Sequence, residues 1–203
     1  MRAPIGSTLG CRYGTGLAIA GAILLAAAHA PVARADLRPV VVAAIGTTGA
    51  VEGSPSDGGA SFALSLLWPI EDGFHAGVMG FADDLGQRTG RLLINGTDLG
   101  PVQALHRQVS GIAWRVEGQL PGARYRPIAT VTWGLYHFTD DVRGSLLRST
   151  TAAGVGLGVG LARRISDRHA VAAMVRYQQL SRGAASRYLS AAAEWRWGWR
   201  GGR

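Results

Sequence analysis

Five charged residues occur at alternate positions within otherwise apolar or small-residue segments. One residue separates Arg115 from Glu117 and Glu194 from Arg196, and Arg176 lies in the segment before the second pair. In a strand, residues two apart project from the same face. If that face lines a barrel, each carboxylate needs an arginine, because an unpaired buried charge is costly. The pattern predicts an ion-paired network that fills the interior; the alternative, a proton or ion path, is disfavoured because a narrow barrel leaves little open bore.

Two carboxylate pairs follow phenylalanines in a repeated Phe-x-Asp-Asp pattern, at Asp83-Asp84 and Asp140-Asp141. Hard cations such as Ca²⁺ prefer several oxygen ligands, and such an ion could bridge these carboxylates to lipid phosphates. The sequence shows no further ligand set beside either pair. We therefore interpret the pairs as solvated residues at the starts of loops, and we predict no metal site and no cofactor.

The nearest approach to a nucleophilic site is His137-Phe138-Thr139. A serine hydrolase triad requires a serine close to a histidine and a carboxylate that orients the imidazole. Threonine stands in place of serine here, and Asp140 is adjacent in sequence but is not placed to orient the ring. We predict no catalytic residues, while a lipid-modifying hydrolase of the outer membrane remains an alternative.

Several other functions receive little support from the composition. Cys11 is the only cysteine and lies in the leader described below, so the mature chain has no disulfide, thiolate nucleophile or cysteine-based metal site. The alternating glycines from Gly154 are not a dinucleotide-binding fingerprint. From residue 36 onward, 18 arginines against 13 acids leave a formal charge of +5, but the arginines are spread along the chain. We therefore predict no nucleic-acid partner, although residues 195–200 mix tryptophan with arginine.

The first 35 residues have the organisation of a secretory signal peptide. Arg2 and Arg12 precede an apolar core at 17–28, and Ala33-Arg34-Ala35 matches an A-x-A cleavage site. The apolar run is shorter than the ~20 residues that a membrane-spanning helix needs. We predict a signal peptide at 1–35 and one domain, a β-barrel, at 36–203.

Period-two alternation dominates the remainder of the chain and positions the residues discussed above. It is clearest at 154–161, where glycines at even positions alternate with large apolar residues at odd positions. Segments of this kind are ended by turn residues. We predict eight strands, at about 38–51, 60–68, 73–83, 108–119, 125–138, 150–165, 169–180 and 187–199.

The predicted connections alternate between short and long. The second, fourth and sixth are short, at 69–73, 120–124 and 166–169. The odd-numbered connections are mostly longer and more polar, at 53–59, 84–107, 139–149 and 181–186. Tight turns at one end, which we call the short-turn end, and longer loops at the other are typical of bacterial outer-membrane barrels.

Aromatic residues predict two belts at the membrane–water interfaces, where rings with an apolar body and a polar tip are favoured. The belt at the short-turn end contains Trp68, Phe74, Tyr125, Trp195, Trp197 and Trp199. The belt at the opposite end contains Phe62, Phe81, Tyr136, Phe138 and Tyr188.

Alternation does not by itself reveal which face points outward. A soluble periplasmic barrel that binds an apolar small molecule would have the same period with its apolar face inward. The other face of this chain is small and carries few charges, as at Thr130, Thr132, Ala172 and Ser190. A water-exposed face usually carries many charges, so small residues lining a cramped lumen are the better interpretation.

The leader, the stretch 154–180 (GVGLGVGLARRISDRHAVAAMVRYQQL) and the closing SRYLSAAAEWRWGW together resemble the small OmpA-type and OmpX-type outer-membrane barrels. The resemblance implies an all-β, eight-stranded, antiparallel up-and-down transmembrane barrel with a structural or surface-interaction role. It also implies outer-membrane lipids as partners and recognition of the aromatic end of the last strand by the barrel-assembly machinery, although the chain continues for four residues after Trp199. The long connection at 84–107 is the part expected to meet an unknown ligand.

Overall fold

The computed structural model describes residues 39–51, 58–94, 97–121, 124–142, 145–181 and 187–198. Residues 1–35, for which we predict a signal peptide, lie outside these ranges. The strands are β1 (Val40–Ala50), β2 (Gly59–Glu71), β3 (Phe74–Ile94), β4 (Thr97–Gln119), β5 (Tyr125–Val142), β6 (Ser145–Arg164), β7 (His169–Leu180) and β8 (Arg187–Trp197).

The strands form one closed antiparallel barrel in which each strand pairs with its neighbours in sequence. The barrel closes between β1 and β8, whose pairing runs from Val41 opposite Trp197 to Ala50 opposite Tyr188. The predicted all-β, eight-stranded, up-and-down architecture is therefore confirmed. Within the described residues, no helix is long and apolar enough to cross a bilayer.

The predicted loop at 84–107 is wrong as a loop, because β3 and β4 continue through most of it. The two strands stay paired up to Ile94 opposite Thr97, with register shifts after Asp84, Arg88 and Arg91. Strand pairing is made by backbone hydrogen bonds, so β3 and β4 can stay paired where the sequence does not alternate between apolar and polar residues. The predicted connection at 139–149 is likewise mostly strand, since β5 and β6 pair as far as Val142 opposite Ser145.

The two faces of the wall differ in the way the alternation predicts. Large apolar side chains point outward, and Leu157 is 61% exposed and Val159 65% exposed. The glycines of β6 lie on the inner face, where a Cβ on Gly154 would come within 2.7 Å of the Tyr136 ring. A Cβ on Gly156 would meet the Gln178 and Thr132 side chains. The bare face of β6 thus provides space for large side chains that enter the lumen from β5 and β7.

The predicted aromatic belt at the end opposite the short turns is largely wrong. Phe62 points outward, but four of its members are buried inside the barrel: Phe81, Tyr136, Phe138 and Tyr188. Their positions in the alternation place them inward, as with Tyr136 and Phe138, which share the inner face of β5 with Thr130 and Thr132. These four rings form an aromatic layer within the lumen, and the Phe81 and Tyr136 rings contact each other with centroids 4.8 Å apart.

Candidate functional site

The structure brings the five alternating charged residues together inside the barrel, and we call them the lumen cluster. Arg115 and Glu117 are on β4, Arg176 is on β7, and Glu194 and Arg196 are on β8. All five are buried. Each pair on one strand is two residues apart, so both members project inward from adjacent positions of the same face.

Two bidentate ion pairs cross the lumen in opposite directions. Arg115 donates from Nη1 and Nη2 to Glu194 Oε1 and Oε2, at 3.0 and 3.2 Å. Arg196 donates from Nη1 and Nη2 to Glu117 Oε1 and Oε2, at 2.5 and 2.9 Å. In an eight-stranded ring β4 and β8 are four strands apart in either direction. These bonds therefore connect opposite walls, and fork-to-fork pairing of this kind is among the strongest charge-assisted hydrogen bonding in proteins.

Each arginine also bonds the carboxylate on its own strand, which closes a ring of four charges. Arg115 Nη2 lies 2.7 Å from Glu117 Oε2, and Arg196 Nη2 lies 2.5 Å from Glu194 Oε2. Arg176 adds a third arginine to Glu194, with Nη2 3.0 Å from Oε1. Glu194 thus accepts hydrogen bonds from three guanidinium groups, so it is the residue on which most of the cluster depends.

Neutral polar groups complete the surroundings of the cluster. Ser65 Oγ accepts from Arg115 Nη1 at 3.4 Å, and Gln119 Nε2 donates to Glu117 Oε1 at 2.9 Å. Glu117 and Arg196 have 0% of their surface exposed, and Arg115 and Glu194 have 1%. These four side chains are therefore packed against one another and the wall inside the barrel. The arrangement can hold the opposite walls together and fill the lumen at this level.

The carboxylate pairs do not lie in solvated loops, so that interpretation is wrong for most of their members. Asp83 is buried in the lumen, where it accepts hydrogen bonds from Ser61 (2.6 Å) and Tyr188 (3.0 Å). Asp140 is also buried and forms a two-point ion pair with Arg107, at 2.5 and 2.6 Å. The alternation indicates that both carboxylates face inward, because Asp83 is two residues after the inward Phe81 and Asp140 is two residues after the inward Phe138.

The other members of these pairs meet a histidine. His106 Nε2 lies 2.8 Å from Asp84 Oδ1, and Nδ1 lies 3.4 Å from Asp141 Oδ2. The ring thus joins carboxylates from β3 and β5. Both ring nitrogens are occupied by these contacts, and among the described residues no group of three or more histidine, cysteine or acidic side chains is arranged to hold a metal ion.

His137 contacts neither Thr139 nor a carboxylate in the hydrogen bonds described for this part of the chain. Its Nε2 lies 3.1 Å from Ser149 Oγ and its Nδ1 lies 3.0 Å from Thr151 Oγ1, both across the β5–β6 pairing. A hydroxyl therefore occupies the position at which a triad needs an orienting acid. The sequence could not reveal this contact, because it depends on the register between two strands.

The residues of the predicted belt at the short-turn end mostly point outward. Phe74, Tyr125, Trp195 and Trp197 are about half exposed, Trp68 is less so, and Trp199 lies outside the described residues. His169 contacts two of these rings, at centroid distances of 5.5 Å from Trp195 and 6.3 Å from Trp197. These outward rings form a discontinuous band beside the short turns.

Comparison with known proteins identifies the fold. No family model and no curated protein matches the sequence. Among solved structures, the chain is similar to neisserial surface protein A, with 16% identity, a TM-score of 0.62, and coverage of 79% of this chain and 97% of that one. It is also similar to the N-terminal β-barrel domain of Pseudomonas aeruginosa OprF, with 12% identity, a TM-score of 0.50, and coverage of 78% and 96%. The chain thus has the fold of the small eight-stranded outer-membrane β-barrels.

Proposed function

We propose that the protein is an integral β-barrel of a bacterial outer membrane, with a structural or surface-interaction role and no catalysis. The observation that carries the proposal is that polar and apolar residues are distributed in the opposite way to a soluble protein, with apolar residues outside and charged residues inside. Leucine, valine and tryptophan cover the outside of the wall, whereas the lumen cluster is fully enclosed. In water, such an exterior would be an exceptionally large exposed apolar surface. In a bilayer the same surface meets lipid, and the closed sheet leaves no unpaired edge.

The lumen makes the alternative of a soluble binding barrel less favourable. A barrel that carries an apolar small molecule should present apolar residues to its interior. Here the interior holds arginine and glutamate side chains bonded across it, followed by the aromatic layer. The hydrolase alternative is less favourable because His137, although its Nε2 contacts the Ser149 hydroxyl, has the Thr151 hydroxyl and not a carboxylate beside its Nδ1.

The partners follow from this placement. Outer-membrane lipids contact the outward apolar face, and the short-turn end faces the periplasm. The assembly machinery recognises the last strand, whose Trp195 and Trp197 point outward. The paired extension of β3 and β4 is the surface available to an external ligand. The signal peptide at 1–35 is removed to leave the domain at 36–203.

Gel mobility tests the proposal directly. Protein from the outer-membrane fraction is applied to SDS gels with and without boiling, and its extraction with and without detergent is compared. A closed membrane barrel requires detergent and changes mobility on boiling. A single unshifted band in the aqueous periplasmic fraction would refute the membrane placement. N-terminal sequencing of the same band tests cleavage after Ala35, and a sequence that begins before residue 36 would refute that site.

A further inference from the structure

Charged side chains are distributed unevenly around the short-turn end of the barrel. Arginines are concentrated where β5 begins, where β6 ends and in the turn before β7: Arg124, Arg126, Arg163, Arg164 and Arg168. The described residues of this sector, 124–126 and 163–169, contain one carboxylate, Asp167, which is ion-paired with Arg164. The end of β2 and the turn that follows it carry Glu71 and Asp72 instead. This sector, which we call the basic rim, therefore has a strong excess of positive charge.

Two guanidinium groups of the basic rim contact a single aromatic ring. The Cζ atom of Arg124 is 5.7 Å from the centroid of the Tyr125 ring, and that of Arg163 is 6.0 Å away. Tyr125 and Arg163 are directly opposite each other in the β5–β6 pairing. An arginine held against an aromatic ring retains N–H groups for a further acceptor. Two cations are therefore held at one ring on the outer wall.

The basic rim lies at the boundary between apolar and polar surface. Arg163 is opposite Val171, which in turn is opposite Trp195. Two residues further into the wall, the same outer face is apolar, with Leu161 paired to Ala173. On the other side, the carbonyl of Arg168 accepts a hydrogen bond of 2.8 Å from the Gly198 backbone N–H, beside Trp197. The arginines thus lie at the depth of the aromatic band, where lipid headgroups meet a membrane protein.

We propose that the basic rim binds the phosphate of anionic phospholipids, of the phosphatidylglycerol class, in the leaflet that surrounds the short-turn end. This inference rests on the proposed membrane location. A guanidinium fork matches a phosphate with two parallel hydrogen bonds. Zwitterionic phospholipids carry an ammonium that offsets this attraction, so net charge selects the anionic class. An acidic soluble partner would not account for the apolar residues and tryptophans at the same depth.

The test measures the binding of individual lipids to the purified full-length protein in neutral detergent by native mass spectrometry. Phosphatidylglycerol is compared with phosphatidylcholine of the same acyl chains. At low salt, we expect phosphatidylglycerol to bind the wild type at least about fivefold more tightly, which corresponds to the attraction typical of one surface arginine. The preference should fall as salt is added, because exposed charges are screened.

Two double variants with equal charge changes locate the site. Arg163→Gln/Arg168→Gln removes two charges from the basic rim, and Arg148→Gln/Arg187→Gln removes two exposed arginines near the opposite end. We expect the first to lose the preference and the second to keep it within about twofold. Equal binding of the two lipids by the wild type would overturn the proposal, as would an equal loss in both variants.

The folded state of each sample is verified beforehand by the mobility shift on boiling and the requirement for detergent. A protein that is soluble and unshifted would refute the membrane placement itself. A folded barrel that needs detergent but shows no preference for the anionic lipid would refute the basic rim proposal alone.

Discussion

Replacing Glu194 with glutamine should be the most destabilising single change of charge in the barrel. Glu194 is 1% exposed and accepts hydrogen bonds from Arg115, Arg176 and Arg196. The substitution keeps the shape of the side chain and removes its charge, so Arg115 and Arg196 would share Glu117, and Arg176 would lose the charged carboxylate to which it is hydrogen-bonded. Removing one partner of a buried ion pair typically costs about 3–5 kcal/mol. Since three arginines lose this partner, we expect a loss in the upper part of that range.

The free energy of unfolding can be measured by urea titration of the protein folded into lipid vesicles. The boiling-dependent gel shift reports the folded fraction, and tryptophan fluorescence provides an independent signal. Asp167→Asn is the matched control, because Asp167 also pairs with an arginine but is 94% exposed. Exposed ion pairs contribute at most about 1 kcal/mol, so this variant should unfold close to the wild type.

A second substitution tests whether charge is the cause. The variant Glu194→Gln/Arg176→Gln removes one negative and one positive charge, which restores the original balance of the cluster. We expect it to be more stable than Glu194→Gln alone. If Glu194→Gln costs no more than Asp167→Asn, or if the effects of the two substitutions simply add, the reasoning that the cluster is held by charge compensation is refuted.

Three further predictions concern the barrel wall and the part of the lumen away from the short-turn end. Gly156→Val should destabilise the folded barrel by at least about 1–3 kcal/mol in the same titration, because its side chain would overlap Gln178 and Thr132; an unchanged urea midpoint would contradict the packing described for β6. Leu157→Arg should cost about 2–4 kcal/mol in vesicles if this residue faces the middle of the bilayer, and a neutral result would place it elsewhere. Asp140→Asn should cost about 2–3 kcal/mol, because it weakens the two hydrogen bonds from buried Arg107. Limited proteolysis of this variant should cleave the extended parts of the strands faster than in the wild type. An unaltered cleavage rate would show that the Arg107–Asp140 pair does not stabilise these strands.

The sequence predicted the parts of the fold in which one face of a strand is constrained by its surroundings. In β8, residues 187–197 alternate strictly between exposed and buried, and the sequence shows the same alternation. The alternation is absent from the sequence of the outer parts of β3 and β4, although their backbones stay paired as far as Ile94 opposite Thr97. Strand length there depends on backbone pairing, which side-chain patterns record poorly.

Contacts across the lumen required the structure. The alternation places Arg115 and Glu194 on inner faces, but their pairing depends on the tilt and stagger of all the strands between them. For the aromatic rings of β5, by contrast, the alternation in the sequence was enough to place the side chains. The height of Tyr136 and Phe138 along the strand predicts an outer belt, although their even positions in the alternation place them on the inner face. Parity was the better guide to these residues, because the face of a strand is fixed by backbone geometry.

The division of the lumen cluster between β4 and β8 has a consequence for the order of events during biogenesis. Glu194 and Arg196 of β8 pair with groups that lie 79 residues earlier in the chain. Until β8 pairs with the rest of the sheet, an open sheet carries Arg115, Glu117 and Arg176 without their distant partners. An open sheet would therefore enter a bilayer poorly, since it would bring uncompensated charge into lipid. Closure of the barrel between β1 and β8 and pairing of the buried charges are therefore a single step. This favours insertion of a closed barrel over insertion of an open sheet.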